Sequence, residues 1–332
     1  VAETSVVDPT QVSTSQTFTD DYLKYAAIGS VNRGYQNVLT QTAGVAGDDN
    51  PNVFGSTLGE NAYFVDGLDT TDPVTATWGT NFNFDAIQEI SFQTGGFEAE
   101  YGRATGGVVN LITKSGGNDF SGTFDIRYRS TSFYQNGDHF DRDTNPTKFM
   151  NPAMTLGGPL LRDSLWFFTS YEDISSQQTP AGSPATRDYN GQNYIGKLTW
   201  QLNPNWRVVG KLSGDPADID HDEADAFAAL EAGEHQKQGG QIYQAELSGV
   251  LSPNLLWSVQ AGVNRGFLEA TPQNGDVTTA SHVNTATGAL YGAYAEVEDS
   301  DRNRDELKTN LTWFVDKLAG THELKAGLEY SK

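Results

Sequence analysis

Beyond residue 119 stretch after stretch of the chain alternates polar and apolar residues. Across 120–128 the even positions are Phe120, Gly122, Phe124, Ile126 and Tyr128; the odd ones are Ser121, Thr123, Asp125 and Arg127. Farther on, Tyr194, Leu198, Trp200 and Leu202 alternate with Asn193, Lys197, Thr199 and Gln201. Near the end, Leu324, Ala326, Leu328 and Tyr330 alternate with Glu323, Lys325 and Glu329. A period of two is the repeat of a strand with two unlike faces. About nine strands follow, at 120–134, 149–157, 164–174, 192–202, 205–214, 241–251, 254–267, 305–315 and 321–331. The earlier part reads differently. It is rich in Thr, Ser and Gln to about residue 20, a composition that favours flexibility. A Gly-rich stretch follows, with short strand runs at 63–65, 87–92 and 108–112 and short helices at 23–27 and 35–40.

Alternation fits a soluble sandwich with one buried face as well as a barrel in lipid. Two features favour the barrel. Short connections at 158–163, 203–205, 252–254 and 316–320 take turns with long ones at 135–148, 175–191, 215–240 and 268–304. Outer-membrane barrels have short periplasmic turns and long external loops in this way. The tryptophans are also sorted. Trp166, Trp200, Trp206, Trp257 and Trp313 all lie within a few residues of a short turn, and only Trp78 lies elsewhere. Indole prefers the membrane interface, so these five are expected to form an interfacial girdle. Most of the strands approach the ~9–11 residues that cross a bilayer at a tilt, and no stretch reaches the ~20 apolar residues of a spanning helix. The mean hydropathy of -0.50 is compatible with such a barrel, because each strand averages its two faces. An odd number of strands would leave backbone groups unpaired in lipid, so the barrel is expected to be incomplete in this chain.

Composition removes other classes. Cysteine is absent, which excludes disulfides and thiolate chemistry. The net charge of -22 opposes nucleic-acid binding. No G-x-S-x-G, H-E-x-x-H or Walker loop occurs, so no enzyme is expected and no cofactor is assigned. His139, His221, His235 and His282 fall in the long connections and read as solvated side chains. Residues 218–223 hint at a calcium loop, but Glu223 replaces the required Gly and Ala229 the bidentate Glu, so no metal site is assigned. The run 222–231 reads as a short helix. The opening VAETSVVDPT lacks the basic and apolar regions of a signal peptide.

Three stretches carry a family resemblance: NRGYQNVLTQTAGV (32–45), ENAYFVDGLDTTDP (60–73) and FDAIQEISFQTGGFEAEYGRATGGVVNLITKSGGNDFSG (84–122). They resemble the plug of TonB-dependent outer-membrane receptors, nearest the Oar-like subgroup. MTLGGPLLRDSLWFFTSYE (154–172) is similar to that subgroup's second and third barrel strands. The resemblance implies a mainly β protein of the bacterial cell outer membrane: a flexible segment at 1–20, a small mixed α/β plug domain at 21–119 inside an antiparallel transmembrane β-barrel, and the first barrel strands at 120–332. It implies import of an extracellular ligand, unidentified, with energy from the inner-membrane TonB protein. A non-transporting surface receptor, adhesin or export component is the alternative on the same scaffold. Partners would be TonB, outer-membrane lipid and that ligand. Residues 3–7 are faintly similar to the segment that TonB grips. Ligand contacts are expected from two upper plug loops: Asp48, Asn50 and Phe54 in one, and Thr70, Asp72, Trp78, Asn81 and Phe82 in the other. Glu98, Glu100 and Arg103 are expected to seat the plug through charge-assisted bonds.

Overall fold

The computed structural model describes residues 14–25, 34–47, 50–97, 99–102, 104–135, 146–294, 296–315 and 320–332. The chain divides into two compact units, one formed by 1–79 with Ile87–Lys114, the other by Thr80–Ala86 with Ser115–Lys332.

The first unit is built on a five-stranded sheet. Its strands are β1 (Thr14–Thr19), β4 (Ala62–Val65), β5 (Leu68–Asp69), β6 (Ile87–Gly95) and β7 (Val108–Thr113), in the order β1-β6-β7-β4-β5. β4 and β7 run parallel and the other pairs antiparallel. A two-residue ladder joins β2 (Val45–Ala46) to β3 (Asn52–Val53). Two short helices complete it, α1 (Asp20–Tyr25) and α2 (Gln36–Leu39). Thr14–Thr19 lies within the segment expected to be flexible, yet it pairs with β6 and buries Phe18. Phe18 supplies the apolar contact that the surrounding polar residues lack.

Local chemistry fixes this sheet. Asp66 and Gly67 both have positive φ, the type I′ geometry of a two-residue hairpin between β4 and β5. The Asp66 carboxylate then accepts from the Thr113 backbone N–H at 2.9 Å and the Thr113 hydroxyl at 2.7 Å, tying that turn to the end of β7. Gly107 donates its N–H to Asn61 at 2.8 Å, and a Cβ there would stand 2.6 Å from the Phe92 ring. Only glycine permits that approach. Phe92, Ile90, Val108, Val109 and Leu111 are buried around it.

The second unit is an antiparallel ten-stranded sheet. Its strands are β8 (Ser121–Ser130), β9 (Thr147–Leu161), β10 (Leu165–Gln178), β11 (Arg187–Asn203), β12 (Trp206–Gly214), β13 (Ala217–Asp220), β14 (Glu234–Ser252), β15 (Leu255–Pro272), β18 (Glu298–Val315) and β19 (His322–Ser331). Neighbours in sequence are neighbours in the sheet from β8 to β19, with β13 placed between β11 and β14 beyond the end of β12. A separate hairpin, β16 (His282–Val283) with β17 (Leu290–Tyr291), lies in the last long connection. The nine predicted strands are all present and several are longer than expected, with β13 an additional short one.

The faces of this sheet invert the rule of soluble proteins. Phe124, Met154, Leu156, Leu198, Leu307, Leu311 and Leu328 are exposed. Asn151, Thr155, Glu172, Asn193, Lys197, Lys211 and Gln244 are buried. Register shows that each set shares a face: Leu198 pairs with Phe167 on one side and Gly210 on the other, and Lys197 with Phe168 and Lys211. An apolar face turned outward suits hydrocarbon. No helix among the described residues is long and apolar enough to cross a membrane.

Two expectations change. Trp200, Trp206, Trp257 and Trp313 share the apolar face, and Trp206 packs edge-on against Trp257 at 6.0 Å across Gly249. Trp166 does not join them. It pairs with Thr199, on the polar face, and its indole N–H donates to Asn118 Oδ1 at 2.7 Å. One position of strand phase separates it from these four. The helix expected at 222–231 is also absent. Asp225 accepts from the backbone N–H of Phe227 and Ala228, a turn that competes with a helix. Phe227 and Ala229 then bond to Leu290 at 2.7 and 2.9 Å, and only a 3₁₀ turn at Leu230–Ala232 remains.

Leu198 sits midway along the apolar face of β11, so Leu198→Arg should cost about 2–4 kcal/mol of folding stability in lipid vesicles. Asn190→Arg, farther toward the long connection, should cost under ~1 kcal/mol. Urea midpoints of the two variants check both.

Candidate functional site

The buried polar face of the sheet carries a bonded network. Glu172 on β10 accepts from Asn193 Nδ2 on β11 at 2.8 Å and from Arg127 Nη2 on β8 at 3.4 Å. Arg127 Nε also donates to Asp125 at 2.9 Å, and the Thr123 and Thr155 hydroxyls meet at 2.8 Å. Buried charges persist only when paired or bonded in this way.

The segment Thr80–Ala86 belongs to this unit although it lies in sequence between β5 and β6. Asn83 is buried and donates its Nδ2 to Ser170 at 2.8 Å on β10. Asn81 donates its backbone N–H to Asp215 at 2.7 Å and its Nδ2 at 3.3 Å. Asp215 stands where the strand lane breaks between β12 and β13. Beside it on β14, Gly239 has φ +120 and a Cβ there would meet the Asp215 carbonyl at 2.4 Å, so this position requires glycine. Burial pushes the Asp215 carboxyl up to about 6, against the bonds from Asn81, Gly240 and Thr80 that pull it down.

Among the residues expected to touch ligand, Phe54 is 68% exposed, with φ 49. Asn50 and Trp78 are half-buried; Trp78 forms a bridge to Thr71. Thr70, Asp72 and Phe82 are buried instead. Thr70 bonds to the Tyr63 carbonyl through both its N–H and its hydroxyl, at 2.8 and 3.2 Å. Asp72 accepts from the backbone N–H of Val74 and Thr75 at 2.7 and 2.8 Å. These polar groups hold the turn, a role the sequence did not distinguish from ligand contact. Asn81 is occupied by Asp215. Asp48, Glu98 and Arg103 lie outside the described residues, as do residues 3–7 and His139. Glu100 is half-buried in a 3₁₀ turn at Ala99–Tyr101.

The structure also assembles side chains the sequence left scattered. Asp218 and Asp220 alternate on β13, and His235 lies directly opposite Asp220 on β14. The amide of Gln273, with His235, holds the Asp220 carboxyl below its ordinary range. His221 and His282 are not part of this group. The D-x-D spacing at 218–220 was the available signal, but its partner 15 residues on becomes visible only with the strand register.

The fold and its two face chemistries define an incomplete outer-membrane β-barrel with a small globular domain. No family model matches the chain. It is 27% identical over 226 residues, 57% of its length, to the TonB-dependent transporter Oar of Myxococcus xanthus, of which it spans 21%. Its fold is similar to the outer membrane transporter YddB of Escherichia coli (TM-score 0.73, 14% identity, 96% of this chain and 48% of that one). It is also similar to the siderophore receptor PirA of Acinetobacter baumannii (TM-score 0.69, 16% identity, 96% and 47%). The chain thus spans about half the length of these solved structures and a fifth of the curated relative. In sequence, then, the chain is similar to a TonB-dependent transporter of the Oar kind, and in fold to transporters and receptors of the Gram-negative outer membrane.

The raised Asp215 value means that the native state holds a proton more tightly than the unfolded chain, whose carboxyl titrates near 3.8. This contribution to stability is complete below about pH 4 and is lost as pH rises through about 6, on the order of 3 kcal/mol in all. Asp215→Asn should remove the dependence. Its stability relative to wild type should climb between pH 4 and 6 and then level off, as read from denaturant midpoints at each pH.

Proposed function

We propose that this protein binds a ligand outside the cell and admits it to the periplasm with energy drawn from TonB. The observation that carries the reading is the inverted sheet, apolar outward and hydrogen-bonded polar residues on the buried face, in one chain with a sequence similar to a TonB-dependent transporter. Residues 120–332 would supply wall strands, and 21–119 the part on which TonB acts. The relatives compared are transporters and receptors, which favours uptake over catalysis. A named siderophore receptor among them makes a chelate one ligand class to test. Phe54 is the exposed aromatic of the upper-loop set and is assigned to ligand contact; Glu98, Glu100 and Arg103 are assigned to seating the domain.

The test is accumulation of solutes from spent growth medium, followed by mass spectrometry in three strains: wild type, receptor deletion and TonB deletion. At least one solute should be lost about equally in both deletions and should return when the receptor is restored. Phe54→Ala should lower its uptake with the surface level of receptor unchanged. A solute bound at the surface with its internal level unaffected by loss of TonB would instead identify a surface receptor or adhesin.

A further inference from the structure

Asp218, Asp220 and His235 face outward from the sheet beyond the break that ends β12, on the side opposite buried Ile219. Their ligand atoms lie within 4.8 Å of one another. The details go beyond a collection of charges. His235 Nδ1 lies 2.8 Å from Asp220 Oδ1, and a carboxylate can only accept, so Nδ1 carries the proton. Asp220 is itself positioned by Gln273, whose Nε2 donates to the same oxygen at 2.8 Å. In the neutral imidazole the lone pair is then on Nε2. That atom faces Asp218 Oδ1 at 3.8 Å, too long for a hydrogen bond. Two atoms each about 2.0–2.1 Å from one zinc ion stand at most about 4.2 Å apart, so this gap admits an ion.

A carboxylate that orients a histidine, whose other nitrogen meets a second carboxylate, is the arrangement by which proteins prepare imidazole for a metal. We propose that His235 Nε2 and Asp218 bind a divalent transition-metal ion of the zinc type, with Asp220 as the residue that positions the imidazole. Water completes the coordination, since Asp220 and His235 are only half-buried and Asp218 is exposed. The mixed nitrogen and oxygen donors select zinc-like ions over calcium and magnesium, which take oxygen. The bound ion pins β13 to β14 at the level of the long connections. Lys237, directly opposite Asp218, competes with the ion for that carboxylate.

The test is calorimetric titration of Zn²⁺ into the full protein purified in detergent. One equivalent should bind. His235→Ala and Asp218→Asn should each weaken binding at least tenfold, and Asp220→Asn about 10–100-fold. Lys237→Ala should tighten it, a gain that no misfolded variant would give. His282→Ala should leave it unchanged, and equimolar Ca²⁺ should not displace the zinc. Wild-type protein that binds no zinc, a His235→Ala titration that superimposes on wild type, or displacement by calcium would overturn the proposal. Asp218→Asn, nearly isosteric, keeps the test valid if His235→Ala fails to fold.

Discussion

Hydrocarbon supplies no hydrogen bonds, and each backbone group left unpaired in it costs several kcal/mol. That constraint explains why the ten-stranded sheet is one continuous antiparallel ladder, with each of its strands between β8 and β19 paired on both sides. It also explains why the side chains are sorted as they are. Once the backbone is paired within the sheet, the outward residues need only be apolar, and the polar residues collect on the other face. There Glu172 accepts from both Asn193 and Arg127. The outermost strands, β8 and β19, each have one edge with no partner strand among the described residues, in keeping with an incomplete barrel.

Much of this architecture was legible because period-two alternation survives any register. Strand positions along 149–157, 192–202 and 254–267 came directly from it. The limits are as instructive. Trp166 was grouped with the other tryptophans because it lies near a turn, but facing depends on strand phase, and Thr199 across from it shows the phase to be polar. The 222–231 run carries helix-forming Ala and Glu, yet one Asp225 turn and two bonds to Leu290 outweigh that weak propensity. Thr14–Thr19 reads as flexible because its one apolar anchor, Phe18, is isolated in sequence.

The candidate site was less legible for a similar reason. Polar residues in turn-rich loops serve turns and ligands with the same atoms. Thr70 and Asp72 proved to be spent on backbone groups, and Asn81 on Asp215, a partner 134 residues away. Distant pairs of this kind leave no local trace. Asp215 and Gly239 looked like ordinary loop residues, and only the broken lane between β12 and β13 shows that they are a matched set. His235 became more than a surface residue for the same reason.

Strand length has its own consequence. β14 runs for 19 residues and β15 for 18, which at about 3.3 Å per residue is roughly 60 Å of chain. Inclined by about 40°, such strands rise about 45 Å, well past a ~30 Å hydrocarbon layer. The extra height carries acids and amides, and it is hydrogen-bonded sheet. An antibody, a bacteriophage or a protease arriving at the cell would therefore meet a stiff palisade here, and cleavage or capture would be confined to its tips.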